Sequence, residues 1–125
     1  MTMQIYESSE DYLEAILIIA EEKGTVHSVD VAEYLHFSKA SVSIAMKKLR
    51  ENGYIRMEKN GELVLLDKGR VIAERIYERH RVLTEFFVSI GVDRETAAKD
   101  ACKIEHDLSP VTFEKLKQMI YEGKA

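Results

Sequence analysis

The stretch from residue 28 to residue 53, SVDVAEYLHFSKASVSIAMKKLRENG, decides the fold. SVDVAEYL reads as a short helix whose Val29, Val31, Ala32 and Leu35 pack inward, HFS as a turn, and KASVSIAMKKLREN as a second helix closed by Gly53. Ser38 is placed to cap that second helix, and Val42, Ala45, Met46 and Leu49 supply its buried stripe. Two helices joined this tightly form a helix-turn-helix. The second helix opens with Lys39, Ala40, Ser41 and Ser43, small and hydroxyl side chains that let it sit deep in a major groove. Lys47, Lys48 and Arg50, further along, reach phosphates, which bind strongly and without regard to sequence.

Downstream, YIRMEKNGELVLLDKG at 54–69 alternates in part, and its Asn60-Gly61 pair tolerates positive φ at both centres of a tight turn. Two short strands follow, so the motif becomes a winged helix whose wing carries Arg56 and Lys59. Upstream, Ser8 and Asp11 make a capping signature, and Leu13, Ile16, Leu17 and Ala20 repeat at helical spacing until Gly24. Asp11 and Glu14, three apart, point the same way from this first helix. Beyond the wing, Asp67 caps a long helix from Lys68 to about Ile90, with Ile72, Ile76, Leu83, Phe87 and also His80 on one face. Asp93 caps the next helix, through Asp107, and Ser109-Pro110 starts a last one with Phe113, Leu116, Met119 and Ile120 apolar.

The expected architecture is mainly α: a winged helix-turn-helix DNA-binding domain over 1–70 and a helical dimerisation domain over 71–125. With 46% hydrophobic and 32% charged residues in 125, the balance is that of one compact globular unit or a small domain with an appendage. The helices after 70 hold too little mass for a core of their own, which points to a homodimer reading a two-fold site. A net charge of -4 argues against wholesale nucleic-acid binding, yet residues 36–70 carry eight bases against four acids, while 1–35 carry one base and eight acids. The basic island coincides with the helix-turn-helix, so double-stranded DNA is the expected partner. The longest apolar runs, such as AILIIA at 15–20, fall far short of the roughly 20 residues a membrane span needs. No signal-peptide pattern is present, and a cytoplasmic protein is expected.

The single cysteine lies in DACKIEHDLS, residues 100–109, three and four positions before Glu105 and His106. On one helical face a thiolate, a carboxylate and an imidazole are the donors that divalent transition metals take. The same residues would also serve as core and surface of an ordinary amphipathic helix. Asp11, Glu14 and His80 form a second polar group without an obvious structural role. Two other readings stand beside a metal-dependent regulator: a winged-helix regulator that responds to a small organic ligand, and a cysteine-dependent enzyme. The enzyme reading lacks support, because Cys102 and His106 share one helix and no glycine-rich loop lies nearby. No enzymatic activity and no small-molecule substrate are expected.

SEDYLEAIL at 9–17, the helix-turn-helix, LLDKGR, RHRVLTEFF and DACKIEHDLS together resemble the metal-activated bacterial repressors related to the diphtheria toxin repressor and the manganese transport regulator. The resemblance covers nearly the whole chain in the same order. It implies a repressor that binds palindromic operator DNA as a homodimer, with Fe(II) or Mn(II) as corepressor, to control metal homeostasis genes. It further implies a primary metal site of Asp11, Cys102, Glu105 and His106, with Glu14 and His80 at a second position that shares Glu105. The manganese branch has a bridging carboxylate where this chain has Cys102, which implies a single ion. The iron branch has methionine where Asp11 stands, and carboxylate and histidine where Thr84 and Ala98 stand, so its ancillary site is not expected. Thiolate favours Fe(II), with Co(II), Ni(II) and Zn(II) accepted in vitro, while the oxygen donors keep Mn(II) accessible. Because Cys102 must be a thiolate and His106 neutral to coordinate, activation is expected to weaken below about pH 6.5.

Overall fold

A computed structural model describes residues 7–122. The elements run α1 (Glu7–Lys23), α2 (Ser28–Leu35), α3 (Lys39–Glu51), β1 (Ile55–Met57), β2 (Leu63–Leu65), α4 (Asp67–Ser89), α5 (Arg94–Ile104) and α6 (Pro110–Tyr121). They divide into two compact units, one up to Glu74 and one from Arg75 onward, and the division falls within α4.

In the first unit, α2 and α3 form the helix-turn-helix and α1 packs against both. Leu13, Ile16, Val31, Val42, Met46, Leu49 and Ile55 are sealed in its core. Ser38 caps α3 by accepting a hydrogen bond from the Ser41 N–H at 3.1 Å, as the sequence predicts. The other caps differ. Ser8 lies inside the first turn of α1 rather than before it. His27 precedes α2, and Asp30 reaches back to accept its N–H at 2.8 Å, which makes Asp30 the residue that fastens the helix start. With only eight residues, α2 buries a narrow stripe of Val31 and Ala32, and Val29, expected inside, is 40% exposed.

The wing is an antiparallel pair with Ile55 opposite Leu65 and Met57 opposite Leu63. Its turn is not the two-residue Asn60-Gly61 type. The Gly61 N–H donates to the Glu58 carbonyl at 2.9 Å, and Glu58 N–H to the Glu62 carbonyl at 2.8 Å, so Lys59, Asn60 and Gly61 form a three-residue loop. Only Gly61 has positive φ, and the Asn60 side chain instead accepts the Glu62 N–H at 3.0 Å.

The second unit packs the later turns of α4 with α5 and α6 around Ile76, Val82, Leu83, Ala97, Ala101 and Phe113. Asp93 and Ser109 cap α5 and α6 through the Thr96 and Thr112 N–H groups. Pro110 occupies the first turn of α6, where a missing N–H costs nothing. The expectation that α5 runs to Asp107 fails: it ends at Ile104.

Gly69 marks the closest backbone approach in the first unit. A Cβ there would collide with the Tyr54 carbonyl oxygen and stand 3.3 Å from Leu13 Cδ2. Gly69→Ala, which would ordinarily stabilise a helix by up to about 1 kcal/mol, is therefore expected to destabilise by about 1–3 kcal/mol. A urea or thermal melt decides the sign.

Candidate metal centre

The second unit gathers its donors from two directions. His80 projects from α4, Cys102 from the last turn of α5, and Glu105 and His106 follow the end of that helix. Glu105 is the C-cap of α5, in helical conformation, with its N–H bonded to the Ala101 carbonyl at 2.9 Å. His106 is already outside the helix. The three residues of DACKIEHDLS therefore do not present one continuous helical face, and the turn re-aims His106 separately from Cys102.

The pairing that results differs from simple i, i+3, i+4 spacing. His80 Nδ1 lies 3.0 Å from Glu105 Oε2 and 3.6 Å from Cys102 Sγ. His106 Nε2 lies 3.6 Å from the other carboxylate oxygen, Glu105 Oε1. Cys102 thus sides with His80, and Glu105 stands between two imidazoles. One donor atom from each of His80, Cys102 and Glu105 can be chosen so that all lie within 4.8 Å of one another. That is the span of ligand atoms about one transition-metal ion with bonds of roughly 2.0–2.3 Å.

Burial sharpens the case. The Glu105 side chain is wholly buried, and its Oε1 is a buried oxygen without a hydrogen bond among the described residues. A carboxylate taken out of water is costly unless positive charge or donors compensate it. In the metal-free chain the compensation falls to His80: its hydrogen bonds to Cys102 and then to Glu105 push its pKa up to about 10. The donors thus fit a divalent cation, which would supply the missing partner of Oε1. On α1, in the other unit, Glu14 is buried and Asp11 half-buried, and both carboxylates leave the helix on one side.

Sequence reasoning gave no sign of Arg79. It is buried, and its Nη1 donates to the carbonyls of Glu105 at 3.1 Å and Leu108 at 2.7 Å. Its guanidinium also lies over the Phe113 ring, 5.3 Å from the centroid. One side chain on α4, next in sequence to His80, therefore pins the turn that carries Glu105 and His106. Only the RH pair hinted at it, since an arginine beside a histidine has no spacing signature.

The residues expected at DNA occupy the exposed side of the first unit. Lys39, Ala40, Ser41, Ser43, Lys47, Lys48 and Arg50 are all exposed on α3, with Ser38 at its cap. Arg56 is exposed on β1, where its Nε is engaged by Glu58 at 2.7 Å, and Lys59 stands at the tip of the wing.

A winged helix-turn-helix in one unit and a His/Cys/Glu donor group in the other define a metal-responsive DNA-binding regulator. Comparison with known proteins agrees. Residues 4–63 match the iron dependent repressor N-terminal DNA binding domain, and residues 66–123 its metal binding and dimerisation domain. The chain belongs to the iron dependent repressor family, a family of metal-responsive transcriptional repressors. It is 43% identical over 102 residues to the HTH-type transcriptional regulator MntR of Geobacillus kaustophilus, covering 82% of this chain and 72% of that one. It is 38% identical over 113 residues to MntR of Bacillus subtilis, covering 90% and 80% respectively. Among solved structures, a manganese-dependent transcriptional repressor in complex with manganese superposes with a TM-score of 0.82 at 28% identity. That match covers 90% of this chain and 52% of the solved one, so the chain spans about half its length.

Replacing Arg79 by methionine would leave the Glu105 and Leu108 carbonyls without their charged donor. The expected loss is about 2–3 kcal/mol in a denaturant melt of the metal-free protein. Breaking the more exposed Lys117–Glu78 pair, 3.2 Å apart, with Lys117→Met should cost under about 1 kcal/mol.

Proposed function

We propose that this chain is a metal-activated repressor that binds palindromic operator DNA as a homodimer and controls metal homeostasis genes. The observation that carries the reading is the buried Glu105 carboxylate, set between His80 with Cys102 on one oxygen and His106 on the other. His80, Cys102, Glu105 and His106 would hold the ion. The resemblance to the family adds Asp11 and Glu14 of α1 to the ligand set. When bound, the ion supplies positive charge to these carboxylates and ligand bonds that tie α1 to the donors of α4 and α5.

The residues themselves do the rest. Arg79 keeps the Glu105 turn in place, and Thr84 donates its hydroxyl to the His80 carbonyl at 2.7 Å. Both reduce the ordering left to be done on binding. Lys39, Lys47, Lys48 and Arg50 supply phosphate contacts, and the start of α3 meets base edges. Without an ion, Asp11, Glu14 and Glu105 add like charge to the set, and the linkage between metal and operator is lost. Reciprocity then requires DNA to raise metal affinity by the factor by which metal raises DNA affinity, on the usual scale of about 5- to 150-fold.

The metal is Fe(II) or Mn(II). Thiolate and imidazole on the Oε2 side favour the softer ion, and the carboxylates keep the harder one. Ile90, Val111 and Tyr121, each more than 60% exposed in the second unit, support dimerisation through that unit. No described helix is long and apolar enough to cross a membrane. We place the protein in the cytoplasm, acting by binding rather than by catalysis and without a small-molecule substrate.

An anisotropy titration on operator duplexes, run in parallel with chelator, Mn(II), anaerobic Fe(II) and Zn(II), tests the reading. Tight binding only with metal is expected, and identical curves in all four arms would sink it. The pH dependence follows from His80. Its pKa is raised, so in the metal-free protein its stabilising contribution is complete below about 6.5, the ordinary histidine value. That contribution is lost as pH rises through about 10. An incoming ion must displace this proton, so metal affinity should climb with pH from about 6.5 upward, by at most about tenfold per unit. The weakening expected at acid pH thus begins in the alkaline range. His80→Gln should flatten the slope, as a direct metal titration at three pH values would register.

A further inference from the structure

We propose that Ile44, with Ala40 one turn before it, is the base-reading contact of α3 and takes the 5-methyl groups of thymines in the major groove. The inference rests on the DNA-binding reading above and names what that helix recognises.

Ile44 is 60% exposed at the middle of α3, while Val42, Met46 and Leu49 of the same helix are at 0–1%. The core stripe is therefore full without it, and Ile44 lies well round the helix from those residues. Its neighbours at helical spacing are Ala40, Ser41, Lys47 and Lys48, all exposed. From residue 36 to residue 50 the chain has no acidic residue, and Lys39, Lys47, Lys48 and Arg50 surround the apolar spot with positive charge. An isolated apolar side chain ringed by cations complements a polyanion that offers a methyl group. The thymine methyl is the one apolar feature in the major groove.

What α3 lacks points the same way. Purines are read in the major groove by Arg or Lys on guanine and Asn or Gln on adenine. Residues 38–45 contain no Arg, Asn or Gln, and Lys39 is the only long donor among them. Ser38 and Ser41 are engaged with each other, hydroxyl to hydroxyl at 2.9 Å and Ser41 N–H to Ser38 Oγ at 3.1 Å. Asn52, just past α3, spends its side-chain amide on the Lys48 carbonyl at 2.8 Å. Discrimination by the first two turns thus falls mainly to van der Waals contact with methyl groups.

The test uses the full chain loaded with Mn(II) and a duplex selected by it from a random-sequence pool. Thymines in that duplex are replaced one at a time by deoxyuridine, which deletes the methyl group and nothing else. The expected result is a loss of about fourfold in affinity at one or two thymines per half-site, the value of one buried methyl group. Ile44→Ala should bind the parent duplex several-fold more weakly, melt as the wild type does, and no longer distinguish thymine from uracil at those positions. Ile44→Gln, selected afresh, should shift the preference there toward adenine. Indifference of the wild type to every uracil, or retained sensitivity in Ile44→Ala, would overturn the inference. Absence of Mn(II)-dependent binding by the wild type would instead defeat the repressor reading itself.

Discussion

The second unit is organised around a carboxylate that has no access to water. Glu105 is wholly buried, with one oxygen 3.0 Å from His80 and the other 3.6 Å from His106. Removing a carboxylate from water costs several kcal/mol after relaxation, so its surroundings must return positive charge or hydrogen bonds. Glu105 Oε1 has no hydrogen bond among the described residues. Hydrogen bonds to the metal-free His80 hold its proton well into the alkaline range. The proton and a metal cation are thus alternative answers to one electrostatic demand. An acidic cluster on a surface makes no such demand, because solvent screens it.

The end of α5 serves the same demand. Had the helix continued to Asp107, His106 would have stayed one turn above Cys102 on the same face. Instead the chain leaves the helix after Ile104 and the carbonyls of the turn need new donors. Arg79 supplies them with one nitrogen, and its positive charge also suits the negative end of α5. The turn is therefore bonded to α4 at the residue preceding His80, so the donors on the two helices are set by a shared backbone anchor. Capping by Asp93 and Ser109 fixes the other ends of α5 and α6.

Periodicity and capping residues made the helix-turn-helix, the wing strands and the three later helices legible, because each has a local cause. Ser38, Asp93 and Ser109 are short polar side chains bonding their own next turn, and such bonds need nothing distant. What spacing missed were tertiary effects. The wing turn moved by one residue because Asn60 uses its side chain on Glu62 rather than adopting positive φ. Val29 faces water because α2 is too short to bury a wide stripe. The donor residue types were all named from sequence, but their pairing was not. That Cys102 meets His80 depends on where α5 stops, and the reason it stops there includes an arginine 26 residues away in sequence.

The pairing changes what the cysteine does for selectivity. Taken with His106, a thiolate would soften the same position that the hard oxygens serve. Beside His80 it softens the Oε2 side of Glu105 and leaves the Oε1 side to an imidazole alone. Glu105 therefore separates a sulfur- and nitrogen-rich side from one with no sulfur. The thiol is also exposed while the carboxylate is buried, so the softest donor is the easiest to reach from solvent. An ion of either hardness finds suitable donors at Glu105, and the selection between Fe(II) and Mn(II) then turns on Cys102 more than on any other single side chain.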